Sequence, residues 1–484
     1  MDARREFDSL EKWLYCEDAT ALGLRGIELG EELRGRQLMR LLLQAHVEHR
    51  GDGDVGAAIE VMQQDVPSTI RYTHKRMHVR NIMTIFGKVR IRRVGYGMVG
   101  KDSIHPLDEQ LRLPARRYSH EVQRRLVKIA VQGPFDEAVE GLQEATGVRI
   151  PKRSAEEIVI DACRDFDSFY ARRRGDRRRK TGAILVGSVD CKGIPMVKKE
   201  PAQKIVRRQK GQKANKKKMA TVAAVFTQRP NIRTAQQVVE SLFDPPLPQQ
   251  RCRKRRKCGP ERKRVWASLE AGKDAFIDDV NKEMNRRDPR KRKIRVVVTD
   301  GERGLQRRVG RIMKDVTLVL DFLHVLERLW ACGHARYGEG SKEAREFVRL
   351  RALRILTGQV SQVVKGLRQI VTKRRLKGEK RKTLLATAGY YYRNRSRMQY
   401  HEYLRKGFPI ASGAVEGACK NLIKDRMERS GMRWTSRMAE AMIKVRAAYL
   451  SGDFEDYWDY HVNQELERLY PDGRWRPLIS VVLK

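Results

Sequence analysis

Apolar residues change their spacing along this chain, and the changes divide it into regions. Up to about residue 65 they recur every three or four positions, as in LRGRQLMRLLLQAHVEHRG (33–51), which predicts helices. Between residues 69 and 100 the period drops to two. There MTIFGKVRIRRVGYGMVG predicts a β-hairpin turning at Gly87, with Arg90, Arg92 and Arg93 on its polar side. A basic amphipathic helix is expected over 117–133, then a helix over 135–145, a turn at Gly147 and a helix from Ser154. Phe135, Ala138, Val139 and Leu142 form the apolar face of the first of that pair, and Ile158, Val159 and Ala162 that of the second. Helix, glycine turn and helix make the helix-turn-helix pattern, with Lys152 and Arg153 entering the second helix where DNA would approach. ARRRGDRRRK (171–180) reads as a basic linker.

From Thr181 the pattern turns to strands. AILVGSVD (183–190) is an apolar strand ending at Asp190, IPMVKKE (194–200) a second and KMATVAAVF (218–226) a third, joined as an antiparallel meander through the basic loop KIVRRQKGQKANKKK. A helix follows Thr234, then a Pro- and Arg-rich insertion, then a helix over 265–285. Val296–Val298 mark a buried central strand with Asp300 at its end, and Gly301 turns the chain into a helix. VTLVLDF is a last strand ending at Asp321, before a helix carrying His324 and Glu327. Residues 341 to about 400 are helical and basic. In FPIASGAVEGACKNLIKDRMERSGMRW (408–434) a helix is expected from Ala414 to Arg429, capped by Ser412, with Glu416 and Lys420 four apart on one face. Residues 435–465 are helical, and the aromatic run FEDYWDYH there favours packing over base stacking.

The segments implied are an N-terminal helical region with a β-hairpin (1–133), a helix-turn-helix (134–170), a basic linker (171–180), an α/β core in two parts (181–333 and 401–450) around an all-α insertion (334–400), and a tail (451–484).

Charge adds a partner to this outline. Lys plus Arg number 103 against 60 Asp plus Glu, a formal +43, which points to nucleic acid and to salt-dependent binding. No apolar run reaches about 18 residues, so a membrane partner is not expected. The charged start MDARREFDSLEKW and seven scattered cysteines suit a reducing, cytoplasmic setting. Cys252 and Cys258 stand six apart without a second ligand pair, which disfavours zinc.

Asp190, Asp300 and Glu416 are the candidates for chemistry. Taken singly, an Asp at a strand end is a common turn residue. Gathered at strand ends, carboxylates repel one another unless a cation joins them, and an oxygen-rich set suits two Mg²⁺ or Mn²⁺ ions acting on a phosphoryl group. The element order matches by analogy an RNase H-like mixed sheet with its acidic triad. The segments VDCKGIPM, VVVTDG, LDFLH and SGAVEGACKNLIKDRMERSGMRW together resemble the DDE transposases of bacterial insertion sequences, of the ISKra type.

That resemblance implies Asp190, Asp300 and Glu416 as the metal-binding catalytic triad, with Asp321 and His324 in support. The expected function is binding of terminal inverted repeats, cleavage at the element ends and joining to target DNA, by a homo-oligomer on DNA located at the bacterial nucleoid. Lys420 and Arg426 are expected to meet phosphates. Arg433 and Trp434 either grip the element end or pack the helix terminus. The rival functions are an RNase H-like nuclease that cuts without joining, and a DNA-binding regulator with an inactive catalytic domain.

Overall fold

In a computed structural model, residues 2–62, 69–173, 181–197, 217–244, 259–471 and 475–477 are described. Most of the basic linker, the basic loop of the expected meander and the insertion bearing Cys252 and Cys258 lie outside the described residues. The chain forms two units, residues 1–171 with 454–484, and residues 172–453.

The first unit begins with helices α1 (Asp2–Leu14), α2 (Glu17–Thr20) and α3 (Leu24–His49). Strands β1 (Ile59–Met62) and β2 (Thr69–Tyr72) follow, where β1 replaces the end of the expected helical stretch. The hairpin of β3 (His74–Thr84) and β4 (Gly87–Met98) turns as expected, with Thr84 paired to Gly87 at a φ of 117°; β5 (Lys101–Ile104) extends its sheet. Period two puts Val89 and Ile91 inside and Arg90 and Arg92 outside. Arg93 therefore leaves the expected polar side: it ion-pairs with buried Asp108, and burial beside Arg80 pulls it down to about 10.

Helices α4 (Pro106–Gln110), α5 (His120–Ala130), α6 (Phe135–Thr146), α7 (Lys152–Ala162) and α8 (Phe166–Arg172) come next. Gly147 ends α6 in the left-handed region, at φ 71°, and Pro151 leads into α7 two residues before the expected start. Phe135, Ala138 and Leu142 are buried on α6, and Ile158, Val159 and Ala162 on α7.

The second unit is mixed α/β. Its strands are β6 (Ile184–Pro195), β7 (Lys217–Gln228), β8 (Glu261–Ser268), β9 (Ile294–Thr299) and β10 (Thr317–Leu320), ordered β10-β9-β6-β7-β8. β6, β7 and β8 pair antiparallel; β9 lies parallel to β6, and β10 parallel to β9. Two expectations are corrected here. The strand expected to end at Asp190 runs on to Pro195 and absorbs the start of the expected second strand. The third antiparallel strand is β8, where an insertion tail and a helix start were expected. Only its second half, Val265–Ser268, is buried, so its charged first half reads as loop.

Helices α9 (Ala235–Phe243), α10 (Lys273–Arg287), α11 (Arg303–Ile312) and α12 (Phe322–Tyr337) surround this sheet. Thr234 and Gln237 close a capping box at the start of α9. The helical region consists of α13 (Lys342–Leu356), α14 (Val360–Lys373), α15 (Gly378–Asn394) and α16 (Tyr400–Arg405). Its Phe347, Leu367 and Tyr391 share one apolar core with Val296, Val319 and Leu320 of the sheet.

The 408–434 stretch forms α17 (Gly413–Ala418), a π-helical segment (Cys419–Lys424) and α18 (Asp425–Met427). The expected regular helix thus carries an over-wide turn directly after Glu416's helix, a feature frequent at functional sites. α19 (Ser436–Leu450) closes the unit. The chain then returns to the first unit as α20 (Phe454–Leu469) and β11 (Trp475–Pro477), which pairs with β1. Tyr457 and Trp458 of the aromatic run are buried, which is the packing role. No described helix is long and apolar enough to cross a membrane.

Candidate active site

Register builds the site. Val189 of β6 pairs with Thr299 of β9, and Leu320 of β10 pairs with the same Thr299. One step further along, Asp190 continues β6 while Asp300 and Asp321 directly follow the ends of β9 and β10, so the register carries the three to one level of the sheet, where neighbouring strands lie about 4.8 Å apart. In α/β sheets the ends of parallel strands are where sites form. Asp190 itself is not at a strand end; it reaches this level from within β6.

α17 brings the fourth carboxylate. Glu416 lies on this helix, and Cys419, three residues on, donates its thiol to Asp190 Oδ2 at 3.3 Å. Residues three apart share a helix face, so Glu416 is held within a turn of Asp190. Ser412 precedes α17 but does not cap it. Its hydroxyl instead donates to Asp321 Oδ2, with Glu416 Oε1 3.3 Å away.

Asp321 is fully buried. Its Oδ1 accepts from the backbone N–H of Leu323 at 2.8 Å, which caps α12. Its Oδ2 meets Ser412 and, at 3.2 Å, Nδ1 of His324. Asp321 is thus a bracket between α12 and α17. The hydrogen bond to Asp321 outweighs burial and raises His324 to about 9, so the imidazole is cationic at neutral pH.

The two neighbouring carboxyls move upward. Burial is the main cause for Asp300, with the charge of Asp190 adding to it. Burial is also the main cause for Glu416, followed by the charge of Asp321. Tyr390 supports Asp300 by donating to its carbonyl at 2.7 Å, and Arg328 lies 3.9 Å over the Tyr390 ring. A cleft of about 430 Å³ opens beside Asp300, His324, Glu327 and Tyr390.

Ligand atoms of Asp321, His324 and Glu416 lie within 4.8 Å of one another, close enough to hold one ion once the imidazole gives up its proton. Asp190 and Asp300 fall outside that tight group but on the same level of the sheet. Half-buried carboxyls raised by burial and by one another fit an oxygen-ligated divalent cation, which would remove the repulsion.

The other expected site residues divide. Lys420 and Arg433 are exposed. Arg426, expected to meet phosphate, is fully buried and lies 4.9 Å from the Trp434 ring, so it cannot reach a bound strand. Trp434 is buried too. Its indole N–H donates to Met427 O at 2.9 Å, and its backbone bonds Pro195 and Val197 at the end of β6, so it packs the terminus. In the first unit Lys152 pairs with Asp136 at 2.7 Å, and Arg153 is 91% exposed beside Glu157.

Sequence reasoning passed over Cys419, Tyr390 and the bracket role of Ser412. Cys419 was signalled by its place three residues after Glu416, and Tyr390 by the run Tyr390–Tyr392. Ser412 was taken for a helix cap, since nothing local separates a capping hydroxyl from one used at long range.

No family model and no curated protein matches the chain. Among solved structures it is similar to the Drosophila P element transposase strand transfer complex, at 10% identity and a TM-score of 0.26, over 73% of this chain and 84% of that chain.

Proposed function

We propose that this chain is a DDE transposase, of the insertion-sequence kind its motifs resemble, with an RNase H-like catalytic unit. The observation that carries this is the single level of Asp190, Asp300 and Asp321, with Glu416 delivered to it by a later helix. The strand order supports it: three antiparallel strands, then two parallel strands added beside the first.

Asp190, Asp300 and Glu416 would hold Mg²⁺ or Mn²⁺. The bound ions would supply Lewis-acid stabilisation to the attacking and leaving oxygens of a phosphoryl transfer. Asp321 positions α17 through Ser412 and keeps His324 protonated. Cationic His324 offers a fixed positive charge beside the cleft, where a scissile phosphate would sit. Exposed Lys420 and Arg433 would meet strand phosphates, which gives salt-dependent binding. The α6–α7 pair, with Lys152 and Arg153 at its second helix, would bind the terminal repeats. Joining two ends requires both to be held at once, so a homo-oligomer forms on DNA.

The test is a strand-transfer assay with the full chain, Mg²⁺, and DNA carrying the element ends with a target duplex. Joined product from wild type and none from Asp190→Asn is the expected result. Nicking without joining would make the protein a nuclease. End binding without cleavage by wild type would favour the regulator and sink the catalytic assignment.

A further inference from the structure

Helix α12 carries a cation that the carboxylate site has left without a role. Arg328 stands four residues after His324, so the two share a helix face, and both line the cleft of about 430 Å³ beside Asp300. Arg328 is exposed, and among the described residues no carboxylate ion-pairs with it. Helix α15 is fastened to α12 through the Tyr391 hydroxyl, which donates to Val325 O at 2.7 Å.

An aromatic ring holds Arg328 in place. Its guanidinium carbon lies 3.9 Å from the centre of the Tyr390 ring. A guanidinium stacked on a ring can still turn in-plane N–H groups toward an oxygen ligand. Tyr390 is itself fixed: it is buried, and its hydroxyl donates to the carbonyl of Asp300 at 2.7 Å. Gly301 makes room for that bond. It sits at a φ of 89°, and a side chain there would fall on the Tyr390 hydroxyl. Arg328 is thus positioned relative to Asp300 through one buried ring, and little ordering is left for the moment a ligand arrives.

The rest of the cleft is unfriendly to a phosphodiester, because Asp300, Glu302 and Glu327 line it too. Glu302 faces Lys273 at 3.5 Å and caps α11, and Asp300 would face a metal ion. A phosphate entering here needs a cation of its own. Arginine keeps its charge across the working pH range, and its fork matches phosphate oxygens in shape. We propose that Arg328 is a substrate-binding residue, which grips a phosphate of the DNA strand next to the scissile bond. This rests on the transposase reading of the carboxylate site.

The test uses the full chain with Arg328→Gln. A control of equal charge carries Arg381→Gln, on the exposed surface of α15. In one arm, both changes are placed on an Asp190→Asn background, which blocks cleavage, and binding of duplex DNA carrying the element ends is measured across a salt series. In the other, Mn²⁺ affinity is measured without DNA and with Asp190 intact.

Arg328→Gln is expected to weaken DNA binding by roughly three- to ten-fold beyond the control and to lower the log–log salt slope by about 0.9, for one lost contact. Its Mn²⁺ affinity should match wild type. Arg328→Lys keeps the charge and should restore the slope. DNA binding and slope equal to the control would overturn the proposal. So would a fall in Mn²⁺ affinity with the slope unchanged, which would make Arg328 a prop for Tyr390 and Asp300. Melting curves check folding, and Arg328→Met, which keeps an apolar stem on the ring, carries the test if the Gln variant is unstable. Neither arm needs cleavage. If wild type fails to cut DNA while Arg328→Gln still lowers the slope, the transposase reading falls and the phosphate contact stands.

Discussion

The sheet of the second unit has charge at both ends, and the buried acids there titrate in opposite directions. At one end Asp300 and Glu416 are pushed up, by burial first and then by neighbouring carboxylates. At the other end burial would raise Glu283 as well, but Arg264, Arg287 and Arg286 outweigh it and hold it at about 2. Desolvation has the same sign in all three, so the neighbours decide. Glu283 comes with its cations built into the chain. Asp300 and Glu416 have His324 nearby, but the acidic end has no comparable arginine set among the described residues, which leaves room for a mobile cation. The arginine end holds its counter-charges within the chain; the acidic end, on the proposed reading, would take them from a bound cation.

The largest effect should come from Asp300→Asn. Catalysis of strand cleavage is expected to fall on the order of 10³-fold, since the variant removes charge where a cation would bind. Stability should hold or rise. A folded acid whose titration is raised costs stability at neutral pH, and an amide removes that cost. A large drop in Tm alongside the lost activity would mean that Asp300 is structural.

Glu283→Gln should do the reverse. Removing the carboxylate leaves three arginines around an uncompensated centre, at a cost of about 3–5 kcal/mol. Urea unfolding would measure it, and a change under 1 kcal/mol would show that the arginines are satisfied elsewhere.

Acid titration sharpens the contrast. The folded Glu283 carboxyl lies below its ordinary 4.5, so its contribution is fully present above that pH and is lost as pH falls toward about 2. Wild type should therefore lose stability over that window more steeply than Glu283→Gln. Equal slopes would place Glu283's partners outside the folding balance.

The smallest effect concerns the bracket. Ser412→Ala removes one donor from buried Asp321, which keeps Leu323 N–H and His324. A loss of about 1–2 kcal/mol in thermal unfolding is expected, with cleavage slowed roughly ten-fold. Unchanged cleavage would show that α17 is positioned without it.

Much of this second unit was legible from residues alone. β9 announced itself by Val296–Val298, and the acids at 190, 300 and 416 were singled out from their contexts, whereas Asp321 entered the site only through the motif resemblance. Their common level was not legible, because register between strands far apart in sequence is set by pairing and leaves no local trace. β8 was hidden for a different reason: an edge strand with a charged first half carries the composition of a loop. Arg426 was misplaced because a cation on a basic helix reads as solvent-facing, and only the over-wide turn and Trp434 turn it inward.

The central claim is that the acidic end is built to take a divalent cation. Mn²⁺ titration of the full chain, read by electron paramagnetic resonance, tests it without any DNA. Wild type should bind Mn²⁺ more tightly at pH 8 than at pH 5, as protons and metal compete for the raised carboxyls, and Asp300→Asn and Glu416→Gln should each weaken binding at least ten-fold. Binding that is absent in wild type, or equal in all three proteins, would contradict the account.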